Sequence, residues 1–201
     1  MNSFERIISD NLKKAFSSAS LEEIGKRIGA KLLEDSLFLK AFGEPCIIKR
    51  DSILLSGKKD TSAMAVIVSI YTLSAKDEEV KLEPFVSFRE LPGSMPYQAG
   101  FKKNTEIPLV PYVRYIWEKR EKIIERLGDE RYRTSQEGDF SLLLFPLPKI
   151  ALKYIFYFED EEFPASVTCL FSNNALSFLP VDPLADLSEY CSKKILEIIN
   201  E

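Results

Sequence analysis

Asp139-Phe140-Ser141-Leu142-Leu143-Leu144-Phe145-Pro146-Leu147-Pro148-Lys149-Ile150-Ala151-Leu152-Lys153-Tyr154-Ile155-Phe156-Tyr157-Phe158 is the stretch on which the fold turns. Aromatic and β-branched residues fit a pleated, half-buried surface. Two such runs, Asp139–Pro146 and Lys149–Phe158, meet across the tight turn Pro146-Leu147-Pro148-Lys149, and Ser166–Phe171 supplies a third strand. Strands in sequence order with short links predict an antiparallel sheet.

Helices flank this block in both directions. Phe4, Ile7, Ile8, Leu12, Ala15 and Phe16 recur at helical spacing. Ser20 and Glu23 form a capping-box pattern, in which each side chain satisfies a free backbone N–H of the other, so a second helix starts there and ends near Gly29. Lys31–Ser56 reads as two or three short antiparallel strands with turns at Gly43-Glu44-Pro45 and Lys49-Arg50-Asp51-Ser52, and Gly57–Asp60 as a loop. Asp60 or Thr61 then caps Ser62–Ser74, apolar on most sides and therefore a central buried helix. Lys76–Pro84 reads as a charged linker and Phe85–Phe88 as a short extended run. Pro108–Leu127 is predicted to be one long helix, with Pro108 in its first turn, Gly128 as its C-terminal cap, and Tyr112, Val113, Ile116, Trp117, Ile123, Ile124 and Leu127 facing inward. A last helix starts at Asp182 or Ser188. Elements in blocks, without strict βαβ alternation, give an α+β fold: an antiparallel sheet of short strands packed with about five helices. The expectation is one domain over 1–201, with 1–80 and 81–201 as candidate sub-parts.

Composition narrows the chemistry. Of 201 residues, 45% are hydrophobic and 29% charged, which is globular usage. Histidine is absent, and with it Ser-His-Asp and Cys-His catalysis, His-ligated zinc and histidine pH switching. The net charge is −4. Lys and Arg in 101–133 alternate with acids, so no concentrated basic face for nucleic acid is expected. Cys46, Cys169 and Cys191 form no CxxC pair or iron–sulfur run, and their odd number fits a reducing compartment. The longest apolar stretches, Ala63–Tyr71 and Ile150–Phe158, are far shorter than a membrane span. A cytoplasmic, soluble protein without nucleic-acid or membrane partners is expected. No nucleotide-binding glycine motif and no GxSxG elbow occurs.

Prolines and glycines are densest in Phe85–Phe101, so this loop should be ordered. Arg89 within it offers a planar fork of donors suited to a carboxylate or phosphate. Glu90 is a candidate partner of Arg89 or an acid/base group, while Tyr97 and Phe101 offer an apolar wall for a flat ligand. The competing reading is a structural Arg–carboxylate clamp, with Glu162 another candidate partner. Glu159, Asp160 and Glu162, in the run Glu159-Asp160-Glu161-Glu162, are candidate ligands for a hard cation, although the run lacks the spacing of a calcium loop and also suits a solvated hairpin tip. The cysteines read as buried small hydrophobes.

Val86-Ser87-Phe88-Arg89-Glu90-Leu91-Pro92-Gly93, followed by Tyr97 and Phe101, resembles the signature of a bacterial and archaeal domain-of-unknown-function family (DUF3786). Gly138-Asp139, Pro146-Leu147-Pro148 and Glu161-Glu162-Phe163-Pro164-Ala165-Ser166 resemble it too. The resemblance implies a setting in anaerobes, where some members are similar to fusions with a four-cysteine iron–sulfur segment. This chain has no such cysteine cluster, so no iron–sulfur cluster is expected, any cofactor is unknown, and no catalytic residue carries over.

Three expectations follow. The first is a ligand-binding or accessory module in anaerobic metabolism, using the Arg89/Tyr97 loop for a small anionic ligand or a protein partner. The second is a carboxylate- or metal-dependent enzyme using Glu90 and the 159–162 cluster. The third is a structural interaction domain acting through an exposed apolar patch.

Overall fold

The computed structural model describes residues 3–132 and 134–201. The fold is α+β, and its strands pair antiparallel, in two sheets. Helices α1 (Ser3–Ser18) and α2 (Leu21–Ile28) precede a five-stranded meander: β1 (Lys31–Leu33), β2 (Ser36–Ala41), β3 (Glu44–Ile48), β4 (Ile53–Leu55) and β5 (Lys58–Asp60). The Ser20–Glu23 capping box forms, and Gly29 closes α2 in the left-handed conformation. Helix α3 (Ala63–Ser74) runs through the centre, and the Asp60 carboxylate accepts the N–H of Ser62 ahead of it. Its Tyr71 is wholly buried, donating to the Ile28 carbonyl at 2.8 Å and accepting from the Lys149 N–H at 3.2 Å.

The second sheet holds β6 (Val86–Ser87), β7 (Phe140–Leu147), β8 (Ile150–Tyr157) and β9 (Ser166–Phe171), in the order β6-β9-β8-β7. Helix α7 (Val181–Ile199) lies against it, where the Tyr154 hydroxyl meets the Ser188 carbonyl and Ser192 Oγ. The other face of β8 is covered as well. Lys153 there has no exposed surface, and its ammonium reaches Glu137 at 2.5 Å and the Phe85 ring. A strand covered on both faces explains why β8 reads as a nearly continuous apolar run.

Three expectations need correction. The meander has five strands, not two or three, and the supposed loop Gly57–Asp60 contains β5. Phe42-Gly43 and Ser56-Gly57 both hold positive φ at successive residues, the signature of two-residue hairpins whose twist matches the strands. Glu44 and Pro45 therefore belong to β3, with Pro45 opposite Lys40. The long helix Pro108–Leu127 is broken. A π turn (Lys102–Glu106) and a 3-10 stretch (Ile107–Tyr112) lead into α5 (Val113–Glu118), and α6 (Arg120–Leu127) follows after Lys119. Pro108 and Pro111 lack the N–H that an α-helical interior needs. The breaks leave Tyr112, Trp117 and Ile124 about two-fifths exposed, while Val113, Ile116, Ile123 and Leu127 remain inside. Gly128 is the C-terminal cap, as expected, donating its N–H to the Ile124 carbonyl at 2.7 Å from an extended conformation (φ −80°). The linker Lys76–Pro84 is strapped down: the Glu78 carboxylate accepts from Ser177 and Asn174, and its carbonyl accepts from the Lys149 ammonium.

Candidate functional site

The proline- and glycine-rich loop owes its order to short hydrogen bonds. The N–H and the hydroxyl of Ser87 both donate to one Glu90 carboxylate oxygen, at 2.8 and 2.7 Å, closing a 3-10 turn over Phe88–Glu90. Gly93 takes φ 78°, and the buried Ser94 turns back to donate its hydroxyl to the Arg89 carbonyl. A second 3-10 turn (Met95–Tyr97) and the short α4 (Gln98–Phe101) follow. Beneath them Phe88 and Phe101 stack at 4.3 Å, each 5.7 Å from Phe171 of β9. Stacked pairs of this kind add roughly 0.5–1.5 kcal/mol beyond burial, so the loop is anchored to the sheet by rings as well as bonds.

Between this loop, the π turn and β9 opens a cavity of about 480 Å³. Arg89 and Lys102 supply positive charge at its wall, with Gln98 and Thr168 beside them. Phe88 and Phe101 form the apolar side. Arg89 is exposed, and among the described residues no acid lies within ion-pair distance of its guanidinium. Glu106, at the end of the π turn, points a carboxylate oxygen to the Cys169 N–H at 3.0 Å. Burial raises its pKa, against the opposing pull of the Cys169 N–H and the Lys102 charge. The cavity therefore combines cationic groups suited to an oxyanion with a carboxyl that holds its proton longer than usual. π turns occur often at functional positions.

The residues singled out from sequence separate here. Arg89 and Phe101 line this cavity together. Glu90 does not: its carboxylate is held by Ser87, whose two bonds lower its pKa. Tyr97 lines a neighbouring cavity of about 180 Å³, with Asp182, Asp186 and Glu189, and Phe101 is shared between the two. Glu159, Asp160 and Glu162 are exposed on the β8–β9 link. Asp160 accepts the N–H groups of Glu162 and Phe163, and Glu159 faces a separate cleft beside Arg114. Among the described residues, no group of three or more acidic or cysteine side chains is clustered to hold a metal ion, and no ion pair joins Glu162 to Arg89. Cys46, Cys169 and Cys191 are free and buried, and burial pushes Cys46 and Cys191 up to about 12.

Sequence reading passed over Lys102, Glu106, Thr168 and Lys153. Lys153 had a visible signal, a lone cation inside an apolar strand. Glu106 had none, because its place in the cavity depends on the π turn, which carries no composition cue.

The family described as Domain of unknown function (DUF3786) matches residues 20–194. No curated protein and no solved structure matches the chain.

Proposed function

The chain belongs to the DUF3786 family of domains of unknown function, and on that premise we propose that it is a binding module for a small ligand bearing a carboxylate or phosphate, held in the Arg89 cavity. The observation that carries this reading is the Arg89 guanidinium, without an acidic partner among the described residues and set at the wall of a cavity that also holds Lys102. The loop behind it is tied by Ser87, Glu90 and Ser94, so little ordering is left to be done on binding. The stacked Phe88 and Phe101 suit a flat or apolar portion of the ligand. The overall charge of −4 argues against a nucleic-acid partner. We place the module in the cytoplasm and, through the family resemblance, in anaerobic metabolism.

The test is calorimetric titration of the full chain with inorganic phosphate, sulfate and malonate at low ionic strength. Arg89→Ala should weaken binding at least about tenfold, because a hydrogen bond to a charged group is worth about 1.5–3 kcal/mol. Equal affinity in a folded Arg89→Ala variant, or no saturation by any of the three anions, overturns the reading. A second reading, proton transfer to the bound anion, is favoured by Glu106 and its raised carboxyl in the same cavity. Glu106 would take the acid/base role expected of Glu90, which is committed to its turn.

A further inference from the structure

The cavity beside Tyr97 is different in charge from the one beside Arg89. Asp182, Asp186 and Glu189 reach it from successive turns of α7, and Asn104 and Thr105 reach it from the π turn. Carboxylates dominate the polar part of its wall, and an ionised carboxylate only accepts hydrogen bonds. One N–H of the Asn104 amide is given to Glu189 at 2.9 Å, and Lys193 holds the other Glu189 oxygen at 2.6 Å. Asp182 and Asp186 have no cation within ion-pair distance among the described residues.

A second, independent feature marks the same place. Thr105 has no exposed surface, lines this cavity, and its Oγ1 has no hydrogen-bond partner. Its carbonyl, by contrast, is satisfied by Ser192 at 2.8 Å. A buried hydroxyl left unpaired lowers stability unless something absent from the chain completes it. The carboxylates call for a donor, and the Thr105 hydroxyl can accept from the same group. A divalent metal fits poorly, since no three acids of the described residues are clustered around one point. An ammonium, with three divergent N–H donors, fits a spread set of acceptors. Its alkyl chain would lie along Tyr97 and Ala185, with the Tyr97 ring face a further attraction for the cation.

We propose that this cavity binds a primary ammonium group on a short alkyl chain, as in a small diamine. Its volume of about 180 Å³ is enough for a group of that size. The Asp186 carboxyl is raised by burial first and then by the neighbouring Asp182 and Glu189 charges, with Lys193 opposing, so a bound cation relieves an existing repulsion.

Calorimetric titration of the full chain with putrescine tests this, with magnesium chloride titrated in parallel. Putrescine should bind saturably. Asp186→Asn and Thr105→Val, both near-isosteric, should each weaken it about tenfold or more with the fold retained by circular dichroism. Arg89→Ala should leave it unchanged, which separates this site from the anion cavity. Absence of saturable binding, equal affinity in Asp186→Asn, or magnesium binding as tightly as putrescine overturns the proposal. Loss of putrescine binding in Arg89→Ala overturns the claim of a separate site.

Discussion

Glu90 sits in the proline- and glycine-rich loop and Glu106 at the end of the π turn, and their surroundings move them in opposite directions. Two donors from Ser87 hold the Glu90 carboxylate ionised, whereas burial favours the protonated form of Glu106. The consequences for stability have opposite signs. The Glu90 contribution is present above the ordinary carboxyl value of 4.5 and is lost as pH falls through its lowered native value. Folded Glu106 keeps its proton longer than the unfolded chain does, so stability falls as pH rises from 4.5 through its raised native value. Glu106→Gln keeps an acceptor for the Cys169 N–H and removes that titration. Melting temperatures measured between pH 4 and 7 should fall less with pH in this variant than in the parent, and parallel profiles would contradict the assignment. The Ser87-x-x-Glu90 spacing is the same pattern that marks Ser20-x-x-Glu23 as a cap. It was legible, but a neighbouring arginine made ion pairing the more attractive reading.

At the level of elements, hairpin turns decided where the sequence was misread. Gly43 and Gly57 share left-handed backbone, with φ 82° and 79°. Around Gly43 an added Cβ would come within 3.2 Å of the Arg126 carbonyl oxygen and a Leu127 methyl, whereas around Gly57 the space is open. Both alanine variants bear the cost of positive φ, roughly 1 kcal/mol, and Gly43→Ala adds a tight contact that α6 must yield to. Urea unfolding should show a lower midpoint for both, with Gly43→Ala destabilised by about 1 kcal/mol more than Gly57→Ala. Equal midpoints would mean that α6 yields at no cost. Phe42 and Ser56 are not the usual first residues of such turns, so local preference pointed to Gly43-Glu44-Pro45 instead. Across the broken stretch from Pro108 to the end of α6, helical periodicity survived in Val113, Ile116, Ile123 and Leu127 and concealed the two prolines' effect.

For the molecule as a whole, one cluster of buried apolar residues runs from Ile8 in α1 to Ile198 in α7 and takes in both sheets. The sheets are also joined directly, where the Phe42 N–H donates to the Pro146 carbonyl at 2.7 Å. A continuous core predicts a single cooperative transition. Far-ultraviolet circular dichroism and fluorescence of the single tryptophan, Trp117 packed on Phe140, should report the same urea midpoint. Two separated midpoints would show that 1–80 and 81–201 unfold as independent parts.

By itself the sequence determined the α+β class, the β7–β8–β9 meander, the capped start of α2 and the buried α3, because periodicity and caps are local and reach only a few residues. It also ruled out histidine chemistry through composition alone. Tertiary structure decided which side chains share a cavity. Arg89 and Tyr97 lie eight positions apart in one loop, yet they line different cavities, with Phe101 in the wall of both. Arg89 meets Lys102 and Glu106, and Tyr97 meets the acids of α7. Charge around a site is the sum of what distant elements deliver to it, and no local pattern encodes that sum.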